Sequence, residues 1–191
     1  MSDWQKIATQ RPLVLVVMGV SGCGKSTVAA LLAGRLHWEF EEGDSLHPPA
    51  NVEKMAAGHP LTDADRMPWL EKVADWIDDR HAADENGVIT CSALKRSYRE
   101  LLNRRHAGVI FVYLSGSRDL IASRMAARQG HFMPTALLDS QFATLEEPAP
   151  DEPAVTIEIG RKPKAIAKAI IAELHLTDVP TTPVRAIRPH D

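Results

Sequence analysis

Little in this chain ties it to an oxidising compartment, a membrane or a nucleic acid. Only two of the 191 residues are cysteine, Cys23 and Cys91, and they form neither a Cys-x-x-Cys pair nor a metal-like cluster. A disulfide framework is therefore not expected, and reduced thiols in a cytoplasm fit best. Charge of one sign is also lacking: 22 Lys and Arg against 25 Asp and Glu leave a net charge of −3 and a pI near 6.2. Such a balance carries no electrostatic footprint for nucleic acid or an anionic membrane. No apolar run approaches the roughly 20 residues of a membrane span. The stretch Met1 to Arg11 is mixed polar and lacks the layout of a signal peptide. A soluble, cytoplasmic protein without internal repeats is expected.

What is present is ordinary globular material, 45% hydrophobic and 25% charged. A chain this long suits one domain burying roughly 70% of its unfolded surface. Its organising stretch runs from Leu13 to Thr27. Leu13 to Met18 is an unbroken apolar run rich in β-branched residues, the pattern of a strand buried on both faces. Gly19-Val20-Ser21-Gly22-Cys23-Gly24-Lys25-Ser26 then fits G-x-x-x-x-G-K-[ST] at every fixed position. Glycines let consecutive N–H groups converge on an anion, so Gly19 through Thr27 is expected to cradle a nucleotide's phosphates. Lys25 would reach the β/γ-phosphates of ATP and the Ser26 hydroxyl would ligate Mg²⁺. Thr27 to Leu36 reads as a helix whose positive N-terminal end lies beneath the phosphates.

Further along, strands alternate with helices. Trp38 to Phe40, Val88 to Ala93, Val109 to Leu114 and Val155 to Ile159 read as four more strands, giving a five-stranded parallel α/β sheet with flanking helices. Residues 45–87, mainly helical and longer than a minimal crossover needs, read as a second-substrate lobe. Within it Thr62 is the N-cap of a helix carrying Met67, Leu70, Val73, Ala74 and Ile77 at helical spacing. Residues 124–140, with Gly130 and Pro134 flanking His131 and Phe132, read as a hinged lid over a phosphate site. Pro163 to Leu174 is a closing helix. The domain is expected to span 13–174, with an extension at 1–12 and a loose tail at 175–191.

Phosphoryl transfer needs positive charge around the moving group and a residue that orients the attacking hydroxyl. Asp44, just past the second strand at the binding edge of the sheet, is the candidate base, or else it holds Mg²⁺ through water. His47 is a candidate substrate contact. Arg66 sits near a helix start, where the dipole opposes it; a substrate carboxylate would explain it, and an ion pair with Asp63 and Asp65 is the alternative. Lys95, just past the third strand and again at the binding edge, is a further candidate substrate contact, with a solvated helix-start lysine as the alternative. Arg124 and Arg128, four apart, share a helix face and could stabilise charge on the transferring group. Arg96, Arg99, Arg104 and Arg105 read as a solvated basic face, and Trp69 and Trp76 as core.

No asparagine here opens the N-K-x-D of a guanine reader. The two strongest later strands end in Cys91-Ser92 and Leu114-Ser115, not in the aspartate of a motor or transporter ATPase. A small-molecule kinase is favoured, with shikimate or a nucleotide among the alternative acceptors and a nucleotide-gated binding protein with weak hydrolysis as the other reading. Gly19 to Ser26, Gly43-Asp44-Ser45-Leu46-His47-Pro48, Asn51 to Met55, Pro60 to Arg66, Pro68-Trp69-Leu70, Cys91 to Lys95, Gly130-His131-Phe132 and Gln141 to Pro148 together resemble the bacterial-type gluconokinases. The likeness spans about residues 13 to 172. It implies a nucleoside-monophosphate-kinase-like P-loop fold, commonly a homodimer, that converts ATP and D-gluconate to ADP and 6-phospho-D-gluconate. It also implies substrate contacts from His131 and Gln141. Cys23 stands where such proteins often carry serine, and its thiol is expected to make the site oxidant-sensitive.

Overall fold

Leu13 to Met18 contains no polar side chain, and in the computed structural model all six residues are fully buried. The structure describes residues 3–9, 12–105, 108–127 and 135–176. Five strands, β1 (Val14–Met18), β2 (Glu39–Glu41), β3 (Gly87–Thr90), β4 (Val109–Ser115) and β5 (Ala154–Glu158), form one sheet in the order β2-β3-β1-β4-β5. Every pairing is parallel. Both faces are covered, which is why β1 reads as continuous apolar sequence rather than alternating. Leu15 and Val17 pack with α2 (Lys25–Leu36) and α8 (Pro163–Glu173). Val14, Val16 and Met18 pack with α4 (Asp63–Ala82) and α5 (Arg96–Asn103).

The strands that follow β1 are laid down on opposite sides of it, β3 on one and β4 on the other. Ligands of open α/β sheets bind at such a switch point, beyond the carboxyl ends of the strands. The loop Gly19–Gly24 occupies that position. On the β3 side, α3 (Pro49–Ala56) and α4 fill the span between β2 and β3; on the β4 side stand α6 (Arg118–Ala126) and α7 (Thr135–Thr144). Thr62 caps α4 with a full capping box: its hydroxyl accepts from the Asp65 N–H, and the Asp65 carboxylate accepts from the Thr62 N–H.

Several sequence expectations change. The N-terminal extension contains a short helix, α1 (Asp3–Ile7), and Ala8 behind it is buried in the core. α2 begins at Lys25, two residues earlier than its composition suggests, because the glycine loop delivers the chain directly into the first turn. β3 ends at Thr90, and Ala93 beyond it adopts φ 44°, turning the chain away from the sheet. Met67, on the apolar spacing of α4, is 39% exposed. His175 and Leu176 do not start a loose tail: Leu176 donates its N–H to the Ile171 carbonyl and its side chain is buried in the core.

Arg99 is the largest correction. Arg96, Arg104 and Arg105 do form exposed ion pairs, with Asp151, Glu71 and Asp78 respectively. Arg99 is 1% exposed. Its guanidinium meets both oxygens of Glu152 at 2.6 and 2.8 Å and donates to the carbonyls of Ala93 and Glu146 at 3.0 Å. The segment after α7 lies against α5, and the planar guanidinium of Arg99 supplies donors at once to its Glu146 carbonyl and Glu152 carboxylate and to the Ala93 carbonyl beyond β3.

Candidate active site

The phosphate loop needs glycine for two separate reasons. Gly19, Gly22 and Gly24 have φ of 138°, 81° and 103°, conformations that side chains disfavour. At Gly22 a Cβ would also lie 2.5 Å from Met125 Cγ, because α6 packs directly on the loop. Gly24 is the N-cap of α2, so the first-turn N–H groups of that helix open onto the cradle. Lys25 folds back along the loop, with Nζ 3.1 Å from the carbonyls of Gly19 and Val20. The Ser21 N–H donates to Oε1 of Gln141 on α7 at 2.6 Å. Ser26 and Thr27 are exposed at the helix start, while Val20 and Cys23 are buried. Burial pushes the Cys23 thiol up from its ordinary value, against the pull of Lys25. A buried, protonated thiol is a poor target for oxidants, so the expected oxidant sensitivity does not follow.

Two cavities flank this loop. The larger, about 520 Å³, is lined by Gly22, Cys23, Gly24 and Thr27, by Arg124, and by Gly160 to Pro163 between β5 and α8. The smaller, about 80 Å³, is lined by Ser21, Lys25, Asp44, His47, Arg66 and Gln141, among others.

Asp44 stands in a single 3-10 turn, Gly43–Leu46, immediately after β2. The backbone carrying it is clamped to β3. The Gly43 N–H donates to the Thr90 hydroxyl at 2.9 Å, the Thr90 hydroxyl donates to Glu42, and Trp69 Nε1–H donates to the Gly43 carbonyl at 2.7 Å. No side chain fits at position 43, where a Cβ would meet the Thr90 carbonyl oxygen at 1.9 Å. The Asp44 side chain itself is free to meet a ligand, being 70% exposed, with Oδ1 4.0 Å from His47 Nε2.

His47 stacks on Trp69 with ring centroids 4.2 Å apart and planes 15° from parallel. Its Nδ1 lies 3.3 Å from Nδ2 of Asn51, which also donates to the Asp65 carbonyl at 2.8 Å. Burial holds the imidazole below its ordinary pKa of 6.5, with Asp44 opposing and Arg66 assisting. Arg66 is 9% exposed and, among the described residues, makes no hydrogen bond or ion pair. Neither nearby aspartate takes it. Asp65 is engaged by Lys54 at 2.6 Å and by Thr62, which hold its carboxyl down at about 2. Asp63 is engaged by Lys95 and by the Tyr98 hydroxyl.

Lys25, Asp44, His47, Arg66 and Gln141 are thus brought to one cavity. Arg124 lines the other, its Nη2 donating to the Ile159 carbonyl at 2.5 Å. Lys95 lines neither: its Nζ lies 2.8 Å from both oxygens of Asp63. Arg128 and His131 fall outside the described residues. Sequence reasoning missed the supports of Asp44 and His47, namely Thr90, Trp69 and Asn51. Asn51 and Trp69 stand within segments that carry the resemblance, and Asn51 lies four residues beyond His47, but neither signal assigns them a supporting role.

Residues 14–148 match the family model described as an AAA domain. The gluconokinase of Gluconobacter oxydans (strain 621H) is 51% identical over 168 residues, covering 88% of this chain and 94% of that protein. The thermoresistant gluconokinase of Escherichia coli (strain K12) is 48% identical, covering 75% of this chain and 82% of that one. Among solved structures, a gluconokinase from Sinorhizobium meliloti 1021 superposes with a TM-score of 0.79 at 45% identity, covering 87% and 94% of the two chains.

Proposed function

We propose a function from one premise: the chain belongs to the gluconokinase family. It is an ATP-dependent kinase that phosphorylates D-gluconate to 6-phospho-D-gluconate. The observation that carries the substrate is Arg66, a buried cation without a described partner, in the same cavity as Asp44 and Lys25. Gluconate offers one carboxylate and a chain of hydroxyls. Its carboxylate would take the Arg66 guanidinium in a bidentate pair, which turns the hydroxyl end toward Asp44.

In this reading the loop N–H groups from Gly19 to Thr27 hold the phosphates, and Lys25 swings off the Gly19 and Val20 carbonyls onto the β/γ-phosphates. Asp44 orients the attacking hydroxyl and accepts its proton as the new P–O bond forms and the bond to ADP breaks. Gln141 and His47 line the acceptor, Arg124 with Arg128 serves the nucleotide side, and His131 belongs to the lid at 124–140. We assign Lys95 a supporting role at the lobe's edge, through Asp63.

The residues suit Mg²⁺. Ser26 presents an exposed hydroxyl at the start of α2, and among the described residues no group of three or more His, Cys, Asp or Glu could hold a metal. A hard cation that keeps several waters and arrives on phosphate oxygens needs no more than that. When bound, it neutralises charge developing on the transferring group.

We place the kinase domain at 13–176, with 45–87 as the acceptor lobe and Ala8 of the N-terminal extension packed onto its core. Two buried free thiols suit a reducing cytoplasm, and the family resemblance supports a homodimer. Among the described residues, no helix is long and apolar enough to cross a membrane.

The test is ADP release from Mg·ATP across gluconate, related sugar acids, free sugars, shikimate and nucleoside monophosphates. Gluconate alone should drive rapid release, with 6-phosphogluconate as the product. Another acceptor winning would overturn the substrate; release indifferent to acceptor would overturn the kinase reading.

A further inference from the structure

The ring of His47 faces the acceptor cavity beside Asp44, and either group could in principle take the acceptor's proton. The hydrogen bonds around Asn51 decide between them. Its amide nitrogen lies 2.8 Å from the Asp65 carbonyl oxygen, so the NH₂ group, not the amide oxygen, must face that way. The same nitrogen is 3.3 Å from His47 Nδ1. One N–H goes to Asp65 and the other points at the imidazole, so Nδ1 must offer a lone pair. A neutral imidazole that accepts at Nδ1 carries its proton on Nε2.

We propose that Asn51 is a positioning residue that fixes His47 as the Nε2–H tautomer, making His47 a hydrogen-bond donor to the acceptor or to Asp44 and leaving Asp44 to receive the proton. Geometry supports the assignment at every neighbouring contact. His47 Nε2 is 4.0 Å from Asp44 Oδ1, within the span that an acceptor oxygen between them would bridge. Stacking on Trp69 fixes the plane of the ring, and the same indole holds the Gly43 carbonyl next to Asp44. Base and donor are therefore set by one aromatic surface. A protonated Nδ1 would face the Asn51 N–H, donor against donor, so the tautomer is enforced rather than merely preferred. Burial keeps the ring neutral against the pull of Asp44, and Arg66, lining the same cavity, adds to the effect of burial.

This rests on the kinase reading for its consequence, but the tautomer can be measured without any substrate. In nitrogen NMR of the full-length protein with isotope-labelled histidine at neutral pH, His47 is one of eight histidines and is assigned by its loss in His47→Gln. Its Nε2 should appear proton-bearing and its Nδ1 proton-free; a proton on Nδ1 overturns the proposal. Asn51→Asp replaces the donor with an acceptor and should reverse the tautomer. It should also lower kcat by roughly 10- to 100-fold while KM for ATP changes little. An unchanged tautomer in that folded variant overturns the assignment to Asn51. Should Asn51→Asp fail to fold, a pair at position 47 gives the answer. Glutamine places an amide N–H where Nε2–H stands and asparagine places it nearer Nδ1, so His47→Gln should keep roughly tenfold more kcat than His47→Asn. Equal losses overturn the donor role. If gluconate proves not to be the acceptor, the NMR result still stands or falls by itself.

Discussion

Arg66→Met is the sharpest test of the acceptor site, because it should raise stability and lower function together. Methionine keeps the apolar stem and deletes the charge. Arg66 is 9% exposed and, among the described residues, has no hydrogen-bonded or ionic partner; only the longer-range attraction of Asp63, itself engaged by Lys95 and Tyr98, offsets part of its desolvation cost in the free protein. Water still reaches part of the group, so the relief from removing it should be about 1–2 kcal/mol, or roughly 2–8 °C in Tm for a chain of this size. Binding moves the other way. A desolvated, bidentate guanidinium–carboxylate pair costs about 2–5 kcal/mol when one partner is truncated; taking about 3 gives a rise in KM for gluconate of roughly 150-fold. KM for ATP should stay within about threefold, since Arg66 lines only the acceptor cavity. Scanning calorimetry and steady-state kinetics with each substrate varied would measure both. A Tm that falls, or a gluconate KM that barely moves, would refute the assignment of Arg66 as an unpaired cation awaiting a carboxylate. An uncharged sugar alcohol should be used about equally poorly by both proteins.

Lys25→Ala should reduce kcat by roughly a thousandfold with the fold intact by circular dichroism; near-normal turnover would sink the phosphate assignment. Arg99→Met strands the Glu152 carboxylate in the interior and should cost about 3–5 kcal/mol, a fall in Tm of roughly 6–20 °C by thermal denaturation. Burial pushes the Glu152 carboxyl up, but its bonds from Arg99 and the Ala149 N–H outweigh that and hold it below its ordinary 4.5. Because the folded value is depressed, this stabilisation is complete above pH 4.5 and lost as pH falls through the folded value. The Tm gap between wild type and Glu152→Gln should therefore close on acidification. Brief peroxide treatment should leave activity unchanged in wild type and Cys23→Ser alike, checked by ADP release; a loss confined to wild type would show that the thiol is reachable.

The fold was readable from the sequence where one residue pattern served one purpose. Leu13–Met18 had to be a central strand because nothing in it tolerates water, and Gly19–Ser26 had to be a phosphate loop because its spacing has no other economical use. Thr62 and Asp65 announced their helix start by the capping chemistry they then display. Reading failed where a residue served a distant segment. Arg99 looks like its exposed neighbours until the chain 47–53 residues away folds onto it. Trp69 was rightly placed in the core, yet its indole N–H and its ring face hold Gly43 and His47, which helical spacing cannot reveal. Lys95 was placed at the binding edge by its position after β3, but proximity to the edge left its direction open, and Asp63 claims it.

The phosphate loop is the shared wall of two rooms. Ser21 and Lys25 face the smaller cavity, Gly22 to Gly24 the larger, and no described residue lines both. The rest of the acceptor side comes from the chain between β2 and β3, from Ser92 just past β3 and from α7, while the other side is built from α2, the end of α6, the loop after β5 and the start of α8. Inheritance can therefore act on the two halves separately. Changes at residues 44 to 66 could retarget the enzyme to a new hydroxy acid without disturbing how it grips the nucleotide, and a survey of natural variation should find the two linings drifting at independent rates.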